Sequence, residues 1–369
     1  MKEKKKAGQY EIPDANKAKQ LAACLMTWYH ANHRDLIWRQ TRDPYRIWIS
    51  EIMAQQTRIT AVLPYYKRFI ARFPTLESLA QASDDEVLKV WEGLGYYSRA
   101  HNLLKTAKII WDENQGRFPR GAAALRKLPG IGDYTAGAIS SICFDEPEPA
   151  VDGNVQRVFA RLYANHRDIA DPKSKKLLTE FVRTVMPEKE PGIFNQSLME
   201  LGALVCVPQK PLCGQCPAAA ICRAKEEGLQ RELPVKTPKK RIRQEDKTIL
   251  LIADEQGRLL LRQRDERLLN GLWEFYMRDG AADQEQVEEL LQKLPCRPVE
   301  ILPVGRAQHV FTHMQWNMQG FYCRVGQLQP PEGYVLVPEE ELPKLAMPTA
   351  LQFFRHLLEF DSPQMMLNV

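Results

Sequence analysis

Leu128-Pro129-Gly130-Ile131-Gly132-Asp133-Tyr134-Thr135-Ala136 lies between two apolar-periodic runs, Ala122 to Leu128 and Thr135 to Phe144. A Pro-Gly-x-Gly link between two helical patterns predicts a tight helix–hairpin–helix, in which the glycines permit positive φ and close approach of another backbone. We expect Asp133 to cap the second helix, so that its first N–H groups point outward beside the glycines. Such amides can bind an anion, phosphate above all, although a plain helix connector is the alternative.

The chain length and composition indicate a protein of two domains. With 369 residues, 44% of them hydrophobic and 26% charged, each domain can bury a core of its own. No apolar run has the length of a membrane span, and the basic start Met1–Lys6 has no hydrophobic segment behind it, so we expect no secretory signal and a cytosolic location. In that compartment, eight cysteines more often bind metals than form disulfides.

The charge is distributed unevenly along the chain. Residues 247–369 contain 12 Lys and Arg against 17 Asp and Glu, which leaves 39 and 29 for residues 1–246. The first part therefore has a balance of +10 and the second a balance of −5. Since the basic part also contains the hairpin, we expect it to contribute most to binding a polyanion.

The first part of the chain shows only helical periodicity. No alternating strand pattern precedes residue 247, which predicts an all-α region, organised as a helical barrel of about residues 33–146 and a second helical lobe. The predicted helices are 17–32, 45–66, 76–81, 84–91, 98–115, one from Gly153, and 192–206.

Residues 231–246 are predicted to form a basic linker, either lying along phosphates or simply solvated. The periodicity changes after it. Two strand-like runs, 247–253 and 258–262, flank Asp254-Glu255-Gln256-Gly257 in a hairpin pattern. Further strands at 299–304, 316–325 and 334–337, with helices at 284–294 and 349–360, predict an α+β domain over 247–369.

Four cysteines form a spacing that is typical of a metal site. The pattern is C-x6-C-x2-C-x5-C, formed by Cys206, Cys213, Cys216 and Cys222. Four thiolates this close together bind either zinc or an iron–sulfur cubane, and spacing alone does not separate the two. The other four cysteines are scattered, which favours packing roles.

Two carboxyl groups are candidates for acid–base chemistry. Glu51 has Ile47, Trp48, Ala54 and Gln55 as its helical neighbours. Desolvation there would raise its pKa and suit a general acid, although a solvent-facing glutamate is the simpler alternative. Asp152 precedes a helix whose N-terminus should keep it ionised, and a plain N-cap is its alternative role.

The hairpin, with Asp152 twenty residues past Gly132 and the four cysteines, resembles the iron–sulfur branch of the helix–hairpin–helix DNA base-excision glycosylases. The resemblance is greatest to the adenine DNA glycosylase (MutY) family and covers nearly the whole chain. It implies a [4Fe–4S] cluster on the four cysteines and a cluster lobe formed by residues from about 10–32 and 147–230. It also implies hydrolysis of the N-glycosidic bond of adenine opposite 8-oxoguanine or guanine in double-stranded DNA, by a monomer associated with the cytoplasmic nucleoid.

The resemblance also assigns roles to individual residues. Glu51 would protonate the leaving base, Asp152 would stabilise the oxocarbenium sugar, and Tyr134 and Asn154 would position the reacting centre. The remaining positions carried over are Trp38, Arg39 and Gln196 for the adenine pocket; Gln56, Thr57, Leu94, Tyr96, Phe311, Thr312 and His313 for the duplex and 8-oxoguanine; and Leu128, Gly130 and Gly132 for phosphate.

Several residues depart from patterns of related families. Tyr134 stands where glycosylases that also cut the strand have a lysine, which implies a monofunctional enzyme that leaves an abasic site. Thr312 replaces a serine, and Ala54 and Ile37 replace leucine and proline, which puts close packing around the pocket and the loop in doubt. The second domain, with Gly271-Leu272-Trp273-Glu274-Phe275, resembles a Nudix domain but lacks its Arg-Glu-x-x-Glu-Glu magnesium cluster.

Two other functions stay open from the sequence. One is an endonuclease III-like glycosylase that acts on oxidised pyrimidines, against which the tyrosine at 134 and the second domain both argue. The other is a non-catalytic iron–sulfur protein that binds DNA or senses redox state.

Overall fold

The computed structural model describes residues 15–237 and 242–360. Two compact units divide the chain: unit 1 comprises Met1–Tyr66, Thr75–Ala80 and Lys105–Lys239, and unit 2 comprises Lys67–Pro74, Gln81–Leu104 and Lys240–Val369. The central residues of the predicted basic linker, 238–241, lie outside the described residues, as do residues 1–14 and 361–369. Within the described ranges, no helix combines the length and apolarity that a bilayer crossing requires.

Helices form the secondary structure of the described chain up to residue 242. Their bounds are α1 Ala15–Asn32, α2 Pro44–Ala54, α3 Ile59–Arg72, α4 Leu76–Ala80, α5 Asp84–Trp91, α6 Ser98–Glu113, α7 Ala122–Leu125, α8 Asp133–Phe144, α9 Gly153–Leu162, α10 Pro172–Val185, α11 Pro191–Leu204 and α12 Arg223–Glu226. Short 3₁₀ turns cover Ile37–Gln40, Cys213–Gln215 and Ala219–Ile221. The predicted all-α region is confirmed, while α10 was not predicted.

One predicted helix, 45–66, is in fact two. The chain leaves α2 at Gln55, and Gln56 adopts a left-handed backbone with φ of 57° before α3 begins at Ile59. No glycine or proline marks this turn, so the apolar periodicity on either side reads as continuous. The break places Thr57 beside the cavity described below.

The hairpin differs in detail from its prediction. Its first helix, α7, ends at Leu125, and the chain then turns through Leu128 into α8. Gly130 has the expected positive φ, 75°, but Gly132 is extended with φ of −90°. Asp133 does not cap α8, because Gly132 occupies the N-cap position and supplies no side chain. The first amides of α8 therefore have no side-chain cap, as an anion site requires.

A core of apolar side chains joins α1 to α9, α10 and α11 within unit 1. Leu21 and Leu25 of α1 are fully buried against a cluster that includes Phe159, Phe181 and Phe194. Cys206, Cys216 and Cys222 pack against the same cluster. The N-terminal helix and the cysteine-containing loop thus share one core.

Within the described residues of unit 2, the sheet has six strands in the order β4-β5-β1-β3-β2-β6. The strands are β1 Arg243–Ala253, β2 Arg258–Gln263, β3 Trp273–Asp279, β4 Pro298–Val310, β5 Met314–Val325 and β6 Tyr334–Pro338, with helices α13 Gln284–Gln292 and α14 Gln352–Phe360. β1 pairs in parallel with β5, and the other pairings are antiparallel. The predicted α+β class is confirmed. However, β1 starts at Arg243, inside the predicted linker, and β3 was not predicted as a strand.

Both faces of this sheet are buried. Along β1, Ile249 and Leu251 belong to a core with Phe354 of α14, whereas Leu250 belongs to a separate core with Val287 of α13. Successive side chains of a strand point to opposite faces, which explains why residues 249–253 of β1 are a continuous apolar run.

Unit 2 also contains a helical segment, Gln81–Leu104, that the predicted boundaries assign to the first domain. Glu92 at the end of α5 accepts hydrogen bonds from Arg355 Nη1 at 2.8 Å and from the Met347 backbone at 3.2 Å. Arg355 is buried, so this ion pair is largely shielded from water. The boundaries near residues 230 and 246 stay a prediction for the chain outside this segment.

Candidate active site

A cavity of about 410 Å³ in unit 1 brings together most of the predicted chemistry. Side chains from α2, α3, α8 and α11 and from the turns before α2, α3 and α9 line it. They include Arg34, Trp38, Arg39, Glu51, Ala54, Thr57, Arg58, Tyr134, Asp152, Asn154, Gln196, Met199 and Glu200. The two predicted catalytic carboxyls, 101 positions apart in the numbering, therefore face one space.

Glu51 meets Tyr134 inside this cavity. Tyr134 Oη donates to Glu51 Oε2 at 2.6 Å and lies 3.3 Å from the sulfur of Met199. Burial raises the pKa of Glu51 to about 7; the hydrogen bond from Tyr134 acts in the opposite direction, and the negative charge of Asp152 adds to the rise. A carboxyl with that pKa retains its proton in a large fraction of molecules at neutral pH, as a general acid must.

Asp152 is the N-cap of α9. Its Oδ1 accepts from the Val155 backbone at 2.7 Å, and its Oδ2 accepts from Asn154 Nδ2 at 2.7 Å. The sequence predicted that the helix N-terminus would keep this group ionised. Burial raises its pKa, and the hydrogen bonds from Val155 and Asn154 act to lower it, so its ionisation at neutral pH stays a prediction. Asp152 thus accepts from two donors and Glu51 from Tyr134, and each of these hydrogen bonds favours the carboxylate.

A chain of hydrogen bonds orients Asn154 toward Asp152. Arg157 Nη2 donates to Asn154 Oδ1 at 2.8 Å and to the Gly202 carbonyl at 2.8 Å, so the amide nitrogen of Asn154 is left to face Asp152. Gly202 is required at this helix crossing, since an added Cβ would lie 2.5 Å from the Cβ of Asn154. The sequence did not indicate Arg157 or Gly202, because both act through tertiary contacts.

The predicted adenine-pocket residues Trp38, Arg39 and Gln196 all line the cavity. Trp38 is buried and packs edge-on against Tyr66 at 5.0 Å between ring centroids. Gln196 accepts a hydrogen bond from Tyr29 at 3.0 Å, and the Arg39 guanidinium lies 5.4 Å from the centre of the Tyr29 ring. An aromatic wall beside amide and guanidinium groups suits a flat polar base. The assignment of these three residues to adenine binding stays a prediction.

The sequence did not indicate Arg34 or Glu200, which also line the cavity. The guanidinium groups of Arg34 and Arg39 both contact the Glu200 carboxylate, and the shortest N–O distance is 2.7 Å in each pair. The four-residue spacing of Gln196 and Glu200 on α11 places both on one face and could have indicated the site.

The predicted lesion-reading residues fall in two places. Thr57 lines the cavity and Gln56 is exposed next to it, both in unit 1. Leu94, in unit 2, is only 8% exposed, so its side chain does not project from the surface in the way that insertion into a duplex requires. Tyr96 is 45% exposed. Whether Leu94 enters a duplex stays a prediction.

The loop between β4 and β5 in unit 2 displays the remaining predicted residues. Phe311 packs edge-on against the buried Trp316 at 4.9 Å, which anchors the loop. Thr312 and His313 are then exposed at its tip. Thr312 Oγ1 lies 3.1 Å from Tyr96 Oη, so two residues far apart in the chain meet through their hydroxyl groups.

Four thiols surround a second cavity in unit 1. Its lining includes Cys206, Cys213, Cys216 and Cys222. Arg161 donates to Cys206 Sγ at 3.4 Å and to the Val207 carbonyl at 2.7 Å, and its side chain is almost fully buried. In the part of the chain that the structure describes, no three Cys, His, Asp or Glu side chains converge as for a single metal ion. Four thiols are a donor set that suits a sulfur-bound metal centre. Of the other cysteines, Cys323 is buried and the rest are partly buried.

Family models match both parts of the chain. Residues 49–184 match the model of the HhH-GPD superfamily base excision DNA repair protein, and residues 248–355 match that of the NUDIX domain. A thermostable thymine-DNA glycosylase structure is 31% identical, with a TM-score of 0.53 over 58% of this chain and all of that one. A trapped endonuclease III–DNA covalent intermediate shares the fold at 24% identity, with a TM-score of 0.51 over 59% and 99%.

Curated relatives share more of the sequence. The adenine DNA glycosylase of Buchnera aphidicola subsp. Schizaphis graminum is 41% identical over 66% of this chain and 70% of its own length. The adenine DNA glycosylase of Mus musculus is 33% identical over 89% of this chain and 76% of its own. Because this chain covers more than two thirds of each relative at 33% identity or higher, it belongs to the adenine DNA glycosylase family.

Proposed function

We propose that this base-excision DNA glycosylase hydrolyses the N-glycosidic bond of adenine mispaired with 8-oxoguanine or guanine, and leaves an abasic site. The observation that carries the proposal is the convergence of Glu51 and Asp152 on one base-sized cavity. Membership of the adenine DNA glycosylase family supports adenine as the base removed. The exposed Thr312 and His313 on the loop of unit 2 support recognition of the opposite base.

The proposed reaction divides the work between the two carboxyls. The adenine leaves the base stack, at a cost of a few kcal/mol, and enters the cavity beside Trp38. Glu51 gives its proton to the base as the bond to the sugar breaks, and the electron pair of that bond leaves with the base. The Asp152 carboxylate stabilises the positively charged sugar. Water then adds to the sugar carbon, and a proton of that water passes to Glu51.

We propose that the enzyme is monofunctional. A strand-cutting glycosylase needs an amine that forms a Schiff base with the sugar carbon. At the corresponding position this chain has Tyr134, whose phenol has no such reactivity. Burial and the neighbouring carboxyls raise its pKa well above the usual range, so it stays a neutral hydrogen-bond donor.

We also propose that the four thiols hold a [4Fe–4S] cluster, which would crosslink the loop between α11 and α12 to the helical core. Arg161 would stabilise the thiolate of Cys206, which it already contacts. The uncapped amides of α8 beside Leu128, Gly130 and Gly132 would bind a phosphate of the DNA. We expect the protein to act as a monomer on the cytoplasmic nucleoid.

A panel of labelled duplexes tests the proposal. Purified protein should release adenine from A·8-oxoguanine and A·G, leave A·T intact, and produce strand breaks only after alkali. A protein–DNA adduct trapped by borohydride, or release of an oxidised pyrimidine, would instead support an endonuclease III-like enzyme. Binding to every mispair without base release would support a non-catalytic protein.

A further inference from the structure

Glu200 is a fully buried carboxylate at the edge of the proposed adenine pocket. It accepts hydrogen bonds from the backbone, Nε and Nη2 of Arg34 at 2.8, 2.9 and 2.7 Å. It also accepts from Nη1 and Nη2 of Arg39 at 3.1 and 2.7 Å. Two arginines thus share a single carboxylate, and five donors surround it.

These contacts fix the orientation of Arg39. Its Nη1 also donates to the Arg34 carbonyl at 2.9 Å, so these bonds engage three of its five N–H donors. The guanidinium lies over the Tyr29 ring, and Tyr29 in turn holds Gln196. A planar group held by two bonds to a carboxylate cannot rotate without breaking both.

The same contacts set the charge beside Glu51. Burial acts to raise the pKa of Glu200, but the hydrogen bonds from Arg34 and Arg39 lower it to about 2, so the group stays anionic. Its charge compensates one of the two guanidiniums. The ionisable groups that face the cavity with Glu51, or act on it, are Arg34 and Arg39 before α2, Arg58 before α3, Tyr134 and Cys143 on α8, Asp152 before α9, and Glu200 on α11.

We propose that Glu200 is a positioning residue of the active site, which holds the Arg39 guanidinium in place and prevents the paired arginines from driving the proton off Glu51. An uncompensated cation near a carboxyl favours its charged form. Without Glu200, two such cations would line the cavity. The proposal rests on the proposed role of Glu51 as the general acid.

The test compares pH profiles of single-turnover adenine release by the full-length protein. Glu200→Gln should move the basic limb of the profile to lower pH by about one unit, which reduces the rate above pH 8 about ten-fold. Glu200→Asp keeps the charge and should keep the limb in place. Arg34→Gln removes one cation and should move the limb to higher pH. Glu180→Gln, at an exposed site on α10, is the matched control and should change neither the position of the basic limb nor the rate.

A second measurement separates this proposal from the proposed function. Carboxyl ¹³C titration of glutamate-labelled protein, with Glu51 assigned from Glu51→Gln, follows the proton directly. The Glu51 titration should move to lower pH in Glu200→Gln, to higher pH in Arg34→Gln, and stay in place in Glu200→Asp. This result supports the proposal even if no adenine is released. A rate that falls equally at every pH, with the Glu51 titration unmoved in Glu200→Gln, would overturn it. If Glu200→Gln does not fold, an unmoved titration in Arg34→Gln would overturn it.

Discussion

Glu51 is the side chain whose protonation state sets the proposed rate. Its pKa of about 7 means that the reactive, protonated form is lost as the pH rises through that value. We therefore expect single-turnover release to fall about ten-fold per unit well above pH 7. Release should also fall at low pH, because Asp152, whose pKa is raised by burial, then takes up a proton and loses the charge that stabilises the sugar. Glu51→Gln should slow release by ~10²–10⁴-fold at every pH, because it removes the acid. Glu180→Gln is the control, and a Glu51→Gln rate equal to that of the unchanged protein would refute the assignment.

Tyr134 modifies that acid through a single hydrogen bond. Its donation to Glu51 favours the carboxylate, so it lowers the pKa that burial raises. Tyr134→Phe should move the basic limb to higher pH by roughly half a unit to one unit. The direction is opposite to that expected for Glu200→Gln. Tyr163→Phe, away from the cavity, is the matched control, and a limb that stays in place or moves down contradicts the prediction.

The elements around the site approach one another through glycines. In α8, a Cβ at Gly137 would lie 2.1 Å from the Pro149 carbonyl oxygen, in the segment that leads to Asp152. That neighbour is backbone and cannot rotate away, so Gly137→Ala should lower the free energy of unfolding by about 1–3 kcal/mol. The midpoint of thermal unfolding, followed by circular dichroism, measures the loss.

Gly153→Ala provides the comparison for Gly137. A Cβ at Gly153 meets nothing within 4 Å, so this variant should keep or slightly raise the midpoint. Equal midpoints for the two variants would mean that α8 does not depend on its close approach to the segment at Pro149.

Local patterns predicted the helices well but not their environment. Periodicity located α6 and α11 to within a few residues, because an amphipathic face repeats along the chain. The turn at Gln56 and the N-cap at Gly132 were missed, since neither residue has a side chain that marks its position. The rise in the pKa of Asp152 was not anticipated, because burial is a property of the assembled helices. The ion pairs of Glu200 span more than 160 positions, and no local pattern contains them.

At the scale of the whole molecule, the two units have different proposed tasks. Unit 1 contains the Glu51 cavity, the hairpin and the cysteines, and unit 2 contains the Tyr96–Thr312 contact. The hairpin lies within residues 1–246, the part of the chain that has the positive charge balance. Because unit 2 includes Gln81–Leu104, the side chains proposed to read the lesion come from two stretches that the predicted domain boundaries separate. Chemistry and recognition should therefore respond to different substitutions.

This separation predicts the behaviour of Thr312. Thr312→Val removes the hydroxyl that meets Tyr96 at 3.1 Å and keeps the shape of the side chain. The preference for A·8-oxoguanine over A·G in single-turnover release should fall about ten-fold, while the pH limb set by Glu51 stays in place. Thr312→Ser, which keeps the hydroxyl, is the control. Tyr96→Phe should cause the same loss, and the double variant should lose no more than either alone, because both remove one interaction. Additive losses, or equal slowing on both mispairs, would show that the hydroxyl pair does not read the opposite base.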